Sequence, residues 1–271
     1  MLSKVNIEKQ IGKGINIVPF KRDNIKENSI NFTISDKAWT LIPKNTGNGY
    51  NNAKPACKSG ILTLEPHSTT IIYTEEVIAL NNKLGGTFHA KVGIVSKGVI
   101  FSSTMIGPSY CGHLMISLQN STDTKIKLKV GDTFISLVLH KLDTKINKSL
   151  TNSNTGGHTG KLTDLNIHPS NNEQKFLDED WKKNIVSIRN KLKDEADYNS
   201  LHTEINKRRY KYYTFLGILF LIILAISYFV LSKFIFDEDS KSIIGSMAFA
   251  LIIELITIVT GILKKILNID I

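Results

Sequence analysis

Cysteine is nearly absent: Cys57 and Cys111 are the only two in 271 residues. Two thiols with no C-x-x-C spacing exclude a disulfide framework and a thiolate zinc site, and they suit a reducing compartment. The seven histidines include no His-x-x-x-His pair or other ligand constellation, so no metal or other cofactor is expected. Residues 1–18 carry charges throughout and no continuous apolar run, so no signal peptide is expected there. Acidic side chains are in deficit, 24 against 34 Lys and Arg, which leaves a net charge of +10. Much of that excess is scattered or lies beside apolar segments. It supports a surface compatible with anionic headgroups and not a nucleic-acid partner.

What the chain does have is two long apolar stretches near its end, residues 214–232 and 242–263. At about 1.5 Å per residue each comes close to the roughly 30 Å hydrocarbon core of a bilayer. The expectation is a membrane protein with a transmembrane hairpin. Lys207, Arg208, Arg209 and Lys211 precede the first stretch, Lys264 and Lys265 follow the second, and the turn between them holds Asp237, Glu238 and Asp239. The excess of Lys and Arg marks the cytoplasmic side, so both termini are expected inside a cell membrane crossed twice.

Four regions follow along the chain: a β domain over 1–145, a polar linker or tail over 146–173, a helical stalk over 174–212 and the hairpin over 213–265. Residues 2–12 can form a short helix with Ser3 as N-cap. Period-two alternation at 30–34, 69–73 and 125–130, with Gly or Pro clusters between, predicts an all-β domain. Residues 147–172 are rich in Asn, Ser, Thr and Gly, which reads as a linker or as an ordered tail lying on the β domain. Trp181, Ile185, Ile188 and Leu192 have the four-three-four spacing of a coiled-coil seam, followed after a break near Ala196 by Leu201 and Ile205.

From 64 to 139 the chain carries, in order, Leu64-Glu65-Pro66, Thr74-Glu75-Glu76-Val77-Ile78-Ala79-Leu80, Ser96-Lys97-Gly98-Val99, Ile106-Gly107-Pro108-Ser109-Tyr110-Cys111-Gly112-His113-Leu114, Asn120, and Ile126-Lys127-Leu128-Lys129-Val130-Gly131-Asp132. Upstream lie Ile15-Asn16-Ile17-Val18-Pro19 and Asn28-Ser29-Ile30-Asn31. This ordered set resembles the superfamily of dCTP deaminases and trimeric dUTPases over about half the chain. The resemblance implies a distorted β-barrel or jelly roll, a homotrimer with nucleotide sites between subunits, and a pyrimidine deoxynucleotide ligand.

The catalytic positions depart from that pattern. Deaminases of the family use a glutamate as general acid and base where this chain has Ser117, and a serine cannot shuttle that proton. The family's Arg-Ser-Ser segment falls on Lys91, Val92 and Gly93, and its following arginine on Ser96. The aspartate that dUTPases place before the conserved tyrosine is Gly107, that of the first motif is Asn31, and the glutamine of the phosphate motif is Ser136. Binding residues have closer counterparts. Tyr110 stands where the family packs a ring under the deoxyribose, and Lys91, Ser96, Lys97 and the amides about Gly93 stand where phosphates sit. The bland alternative makes Tyr110 a core aromatic and the lysines surface charges. The run Thr155-Gly156-Gly157-His158-Thr159-Gly160-Lys161 invites comparison with a glycine-rich lid but lacks its arginine and phenylalanine, so a linker is the better reading, with Lys161 within reach of phosphate.

In the second apolar stretch Glu254 shares a helical stripe with Ser246, Ala250, Thr257 and Gly261. A carboxylate at a helix centre costs about 2.5–3.5 kcal/mol in lipid, so the stripe should face protein or water. It reads as a pore or polar constriction, or more simply as a hydrogen bond between helices. The expected function is a catalytically impaired, membrane-anchored nucleotide sensor whose ligand controls a transmembrane effector, with antiviral defence as a setting by analogy. The alternatives are an active deaminase or dUTP hydrolase with repositioned Glu75, Glu76 or Asp132, and a non-catalytic trimeric scaffold.

Overall fold

The structure, a computed structural model, describes residues 1–44, 49–146, 158–234, 253, 254 and 257. It separates into two compact units, Met1–Asn199 and Ser200–Ile271. The first begins with helix α1 (Lys4–Gln10) and continues through strands β1 (Ile15–Val18), β2 (Ile30–Pro43), β3 (Tyr50–Pro55), β4 (Cys57–Lys58), β5 (Ile61–Leu64), β6 (Thr69–Leu80) and β7 (Leu84–Ala90). A single turn, α2 (Val92–Val95), leads to β8 (Val99–Phe101), β9 (Met105–Ile106), β10 (Cys111–Asn120), β11 (Ile126–Lys129) and β12 (Thr133–Lys141). Helices α3 (Gly160–Asp164), α4 (Asn171–Asp178), α5 (Ile185–Lys193) and α6 (Ala196–Phe234) follow, with a 3-10 turn at Asp180–Lys183.

The β domain is one curled antiparallel sheet in the order β8-β10-β6-β2-β12-β7-β9, with β1 added on β6 and β3 on β2, beside a small sheet β11-β5-β4. The expected strand runs are present and longer than the alternation marked: β6 extends to Leu80 and β2 to Pro43. Ten of the twelve residues of β6 are buried, because the curl covers both of its faces. Phe32 meets Phe88 edge-on at 6.4 Å, and Trp39 meets Tyr73 at 6.3 Å.

The described part of the tail, from 158 onward, lies on this sheet. Leu162, Ile167 and Leu177 are buried with Trp39, Leu41, Ile71 and Tyr73, and the Asn166 side chain donates to the Tyr50 carbonyl at 2.5 Å. The expected seam finds a different partner from the one its spacing suggested. Ile188 and Leu192 are wholly buried, and α5 packs on β1 and β6. Trp181 sits in the 3-10 turn with the Lys191 ammonium 4.6 Å over its ring, while Ile185 is half-buried. The stretch is cut into short pieces by local caps. Ser170 and Glu173 form a capping box on α4, and the Asn184 side chain accepts from the amides of Val186 and Ser187 to start α5. A seam that repeats every three or four residues fits a sheet as well as another helix.

In the second unit α6 continues to Phe234, and among the described residues it is the one helix long and apolar enough to cross a membrane. Phe215, Ile218, Phe220, Leu221 and Leu224 are exposed around most of it, and only one stripe, with Tyr212 and Ile223, is buried. The second apolar stretch lies almost wholly outside the described residues, as do Ser246, Ala250 and Gly261 of the proposed stripe.

Ile188→Ala should lower the stability of the first unit by about 2–5 kcal/mol, since it opens a cavity against the sheet. Val186→Ala, on the exposed side of the same helix, should stay within about 0.5 kcal/mol. Denaturation of the full chain followed by near-ultraviolet dichroism checks both, and equal small effects would return the seam to a free stalk.

Candidate functional site

The nucleotide-binding candidates form two groups. In the first, Lys91 ends β7 beside β12, with its Nζ 2.6 Å from Thr133 Oγ1 and its amide bonded to the Phe134 carbonyl. Ser136, on β12, donates to Asn31 Oδ1 at 2.7 Å. Lys91, Asn31 and Ser136 therefore lie together across the neighbouring strands β2 and β12 and the end of β7, next to the α2 turn that exposes Gly93, Ser96 and Lys97. The amides of Ile94, Val95, Ser96 and Lys97 are spent on bonds within that turn, so they are not free to hold an anion as the sequence suggested.

The second group surrounds Tyr110. This residue is 6% exposed, its hydroxyl donates to the His113 carbonyl, and burial pushes its pKa well above the ordinary phenol value. Its ring helps line a cavity of about 490 Å³ whose walls include Phe88, Ile106, Leu114 and Ile116 from the sheet. Gly107 opens one side. His158, Lys161, Asp164 and Leu165 of the tail close another, with the His158 ring 6.1 Å from that of Tyr110. The size lies within the range of small-ligand pockets, and the mix is apolar walls with a few polar groups. Lys161 and Asp164 are 3.5 Å apart and exposed at the mouth. None of Lys91, Gly93, Ser96, Lys97 or Ser136 lines this cavity. Tail residues 162–165 were not among the sequence candidates, and only the apolar pair Leu162 and Leu165 in a polar stretch signalled that this segment docks.

Acid and base groups lie elsewhere. Ser117 is exposed on β10, opposite Ile71. Glu76 is 2% exposed and accepts from the Thr33 amide at 2.9 Å and the Thr33 hydroxyl at 2.8 Å. Burial pushes its pKa up to about 7 against the pull of those bonds. His113 is buried with Nδ1 3.1 Å from the Thr74 carbonyl and Nε2 without a partner, its ring stacked on Phe176 at 4.5 Å. Burial, with the nearby Lys182 ammonium, lowers it to about 4, so it is neutral. Burial also raises the thiols of Cys57 to about 11 and Cys111 to about 12, which leaves both protonated and poorly nucleophilic. Glu76 and His113 do not line the Tyr110 cavity. No group of three or more His, Cys, Asp or Glu able to hold a metal occurs among the described residues. Glu254 is helical and exposed, and the Thr257 hydroxyl bonds back to the Ile253 carbonyl at 2.9 Å.

The raised pKa of Glu76 gives a signed pH dependence. Its folded value lies above the unfolded one, so the native state holds the proton more tightly, and its contribution is complete below about 4.5 and lost as pH rises through about 7. His113 acts in the opposite sense, losing its contribution as pH falls from 6.5 toward 4. The stability difference between wild type and Glu76→Gln should therefore shift by about 3 kcal/mol against wild type from pH 4.5 to 8. A difference independent of pH would show that Glu76 is ionised throughout.

Comparison with known proteins agrees with the sheet. A family model described as dCTP deaminase-like matches residues 1–142. Among curated relatives, the dCTP deaminase of Thermococcus kodakarensis is 24% identical over 136 residues, 49% of this chain and 81% of that protein. A probable deoxyuridine 5'-triphosphate nucleotidohydrolase of Sulfolobus islandicus rod-shaped virus 1 is 24% identical over 139 residues, 50% of this chain and 80% of that protein. Among solved structures, the 2'-deoxycytidine 5'-triphosphate deaminase of Agrobacterium tumefaciens matches with 14% identity and a TM-score of 0.42, covering 60% of this chain and 53% of that one. The dUTPase of Streptococcus mutans matches at 10% identity and a TM-score of 0.35, over 50% of this chain and all of the other. The family match takes in the β1 to β12 sheet and stops short of the tail, of a neck formed by α4, the 3-10 turn and α5, and of α6, and through that sheet the chain belongs to the dCTP deaminase-like family.

Proposed function

We propose that the protein is a membrane-anchored nucleotide sensor of the dCTP deaminase-like family, impaired in catalysis, whose ligand state is read by its transmembrane segment. One observation carries the reading: the cavity beside Tyr110 offers an aromatic ring, apolar walls and the Lys161 ammonium, while among the described residues no buried carboxylate lines it. Activating water for attack on a cytosine ring needs a base within hydrogen-bond reach, and Ser117 does not supply one. Glu76, the one buried carboxylate with a pKa near neutrality, spends its oxygens on Thr33. A pyrimidine deoxynucleotide suits the cavity by size, and Tyr110 would exclude a 2'-hydroxyl by contact with the sugar.

The two groups of candidates become one site in a homotrimer. Val92 and Met105 are 79% and 83% exposed, and Val95 and Ile100 are exposed beside them. This apolar surface on the α2 turn and the two edge strands β8 and β9 suits burial against a second copy. In such an assembly Lys91, Gly93, Ser96, Lys97 and Ser136 of one subunit would meet phosphates of a nucleotide seated on Tyr110 of another. Differential affinity for two trimer states would then bias the membrane segment. Glu254, with Thr257, would face the trimer axis and not lipid, since an unpaired carboxylate in hydrocarbon is costly.

Two outcomes test this reading. The full chain in detergent should gain stability from dCTP or dUTP, by about 2.7 kcal/mol at a hundred times the dissociation constant. It should release neither ammonia nor pyrophosphate above a no-protein blank, and Met115→Trp, which fills the cavity, should abolish the shift. Multiple turnover surviving rigorous purification would establish an active enzyme instead. In planar bilayers Glu254→Gln should change cation selectivity while the trimer persists, and Glu254→Leu should suppress conductance. Silence from every protein under either nucleotide would leave the membrane segment as an anchor.

A further inference from the structure

Residues 205–234 contain no Asp or Glu, although seven of the charged or phenolic side chains in that span fall between 207 and 213. Lys207, Arg208, Arg209, Tyr210, Lys211 and Tyr213 are all exposed. Arg208 is ion-paired to Glu204 one turn back, whereas no described carboxylate lies within ion-pair distance of Lys207, Arg209 or Lys211. A solvated charged helix ordinarily interleaves acids at the fourth position and neutralises itself. This one does so at Arg208 and then stops.

We propose that residues 207–213 form a collar on α6 that binds the headgroups of anionic phospholipids. At about 100° per residue the four cations fall near 0, 40, 100 and 200° round the helix, and Tyr213 and Tyr210 fill about 240 and 300°. The collar therefore presents donors over most of the circumference, the gap lying near 140° where Tyr212 is buried, and lipid headgroups can meet them on every open side. Its height is about 9 Å, comparable to the roughly 5–8 Å of headgroup region on each side of the hydrocarbon core. Immediately after it, from Phe215 onward, exposed apolar side chains cover the same open sides of the helix. Cations at the level of the phosphates, with phenols bridging phosphate and acyl chain, fix the depth at which α6 sits. The proposal rests on the reading of α6 as a membrane span and is independent of the nucleotide site.

The test uses the full chain purified in neutral detergent and offered equal amounts of phosphatidylglycerol and phosphatidylcholine with matched acyl chains, with retained lipid counted by native mass spectrometry. Each unpaired cation should contribute about a fivefold preference, so the wild type should retain phosphatidylglycerol at least tenfold over phosphatidylcholine. Lys207→Gln, Arg209→Gln and Lys211→Gln together should bring retention close to parity. Replacing Lys125, Lys127 and Lys129 of β11 by Gln removes the same charge from the β domain and should leave the wild-type preference in place. Equal retention by the wild type, a preference that survives the collar substitutions, or an equal loss in the β11 control would each overturn the proposal. A chain that stays in solution without detergent would overturn the membrane reading on which it stands.

Discussion

The need to hide strand β6 on both faces organises the first unit. Its sequence, Thr69 to Leu80, buries Ile71, Ile72, Tyr73, Val77, Ile78, Ala79 and Leu80, so no register leaves one side in water. Pairing with β2, β10 and β1 satisfies its backbone, but pairing alone does not cover its faces. The curl of the sheet supplies one cover. Trp39 and Tyr73 then require more apolar surface, and Leu162, Ile167 and Leu177 bring it from far along the chain. The tail and neck are consequently parts of the core of a domain whose family match ends at residue 142.

Several of the polar groups trapped by this arrangement are held by short bonds, while the Asn16 side chain, the Tyr73 hydroxyl and His113 Nε2 have no partner among the described residues. Glu76 has Thr33, the Tyr110 hydroxyl has the His113 carbonyl, and the Asn120 side chain donates to the carbonyls of Leu64 and Thr124 at 3.0 and 2.7 Å. The Lys182 ammonium, 6% exposed, sits 4.1 Å over the Phe176 ring and 3.7 Å from Glu179, and Phe176 in turn stacks on His113. This chain of contacts joins the 3-10 turn of the neck to β10, and β10 also carries the Leu114 and Ile116 walls of the cavity. Burial is the larger effect at both groups, keeping His113 neutral and lowering the pKa of Lys182 against the partial opposition of Glu179. The link between cavity wall and neck is therefore one of packing, so an occupant of the cavity would act on it through shape.

Much of the sheet was legible because alternation is a direct consequence of strand geometry: 30–34 and 69–73 fall in strands, 125–130 contains the shorter β11 at 126–129, and the short opening helix starts after Ser3 as read. The apolar run of α6 was legible for the same kind of reason, since length and composition suffice. The neck was not. Trp181, Ile185, Ile188 and Leu192 state which face wants cover and are silent about what covers it. The breaks were nevertheless written locally, in Ser170 with Glu173 and in Asn184, and a capping argument would have found them. In the candidate site, motif order placed Tyr110 and Lys91 in one family pattern. It could not show that the fold sets Tyr110 against a cavity and Lys91 near Ser136 outside that cavity.

That separation bears on how binding and response could be joined. A site completed within one subunit would gain affinity without any change of assembly. If a ligand spans the Tyr110 cavity of one copy and the lysines of another, its binding energy depends on how the copies are set against each other. The same ligand also touches the 158–165 wall, whose neighbours Leu162 and Ile167 belong to the cluster that includes Leu177 of α4. Differential contact is the only means by which a ligand shifts an equilibrium, and in the proposed trimer both the subunit interface and the tail would offer it. Under the proposed reading, a ligand-sized cavity with one wall made by the tail gives a deaminase-like sheet a physical use that needs no general base at Ser117.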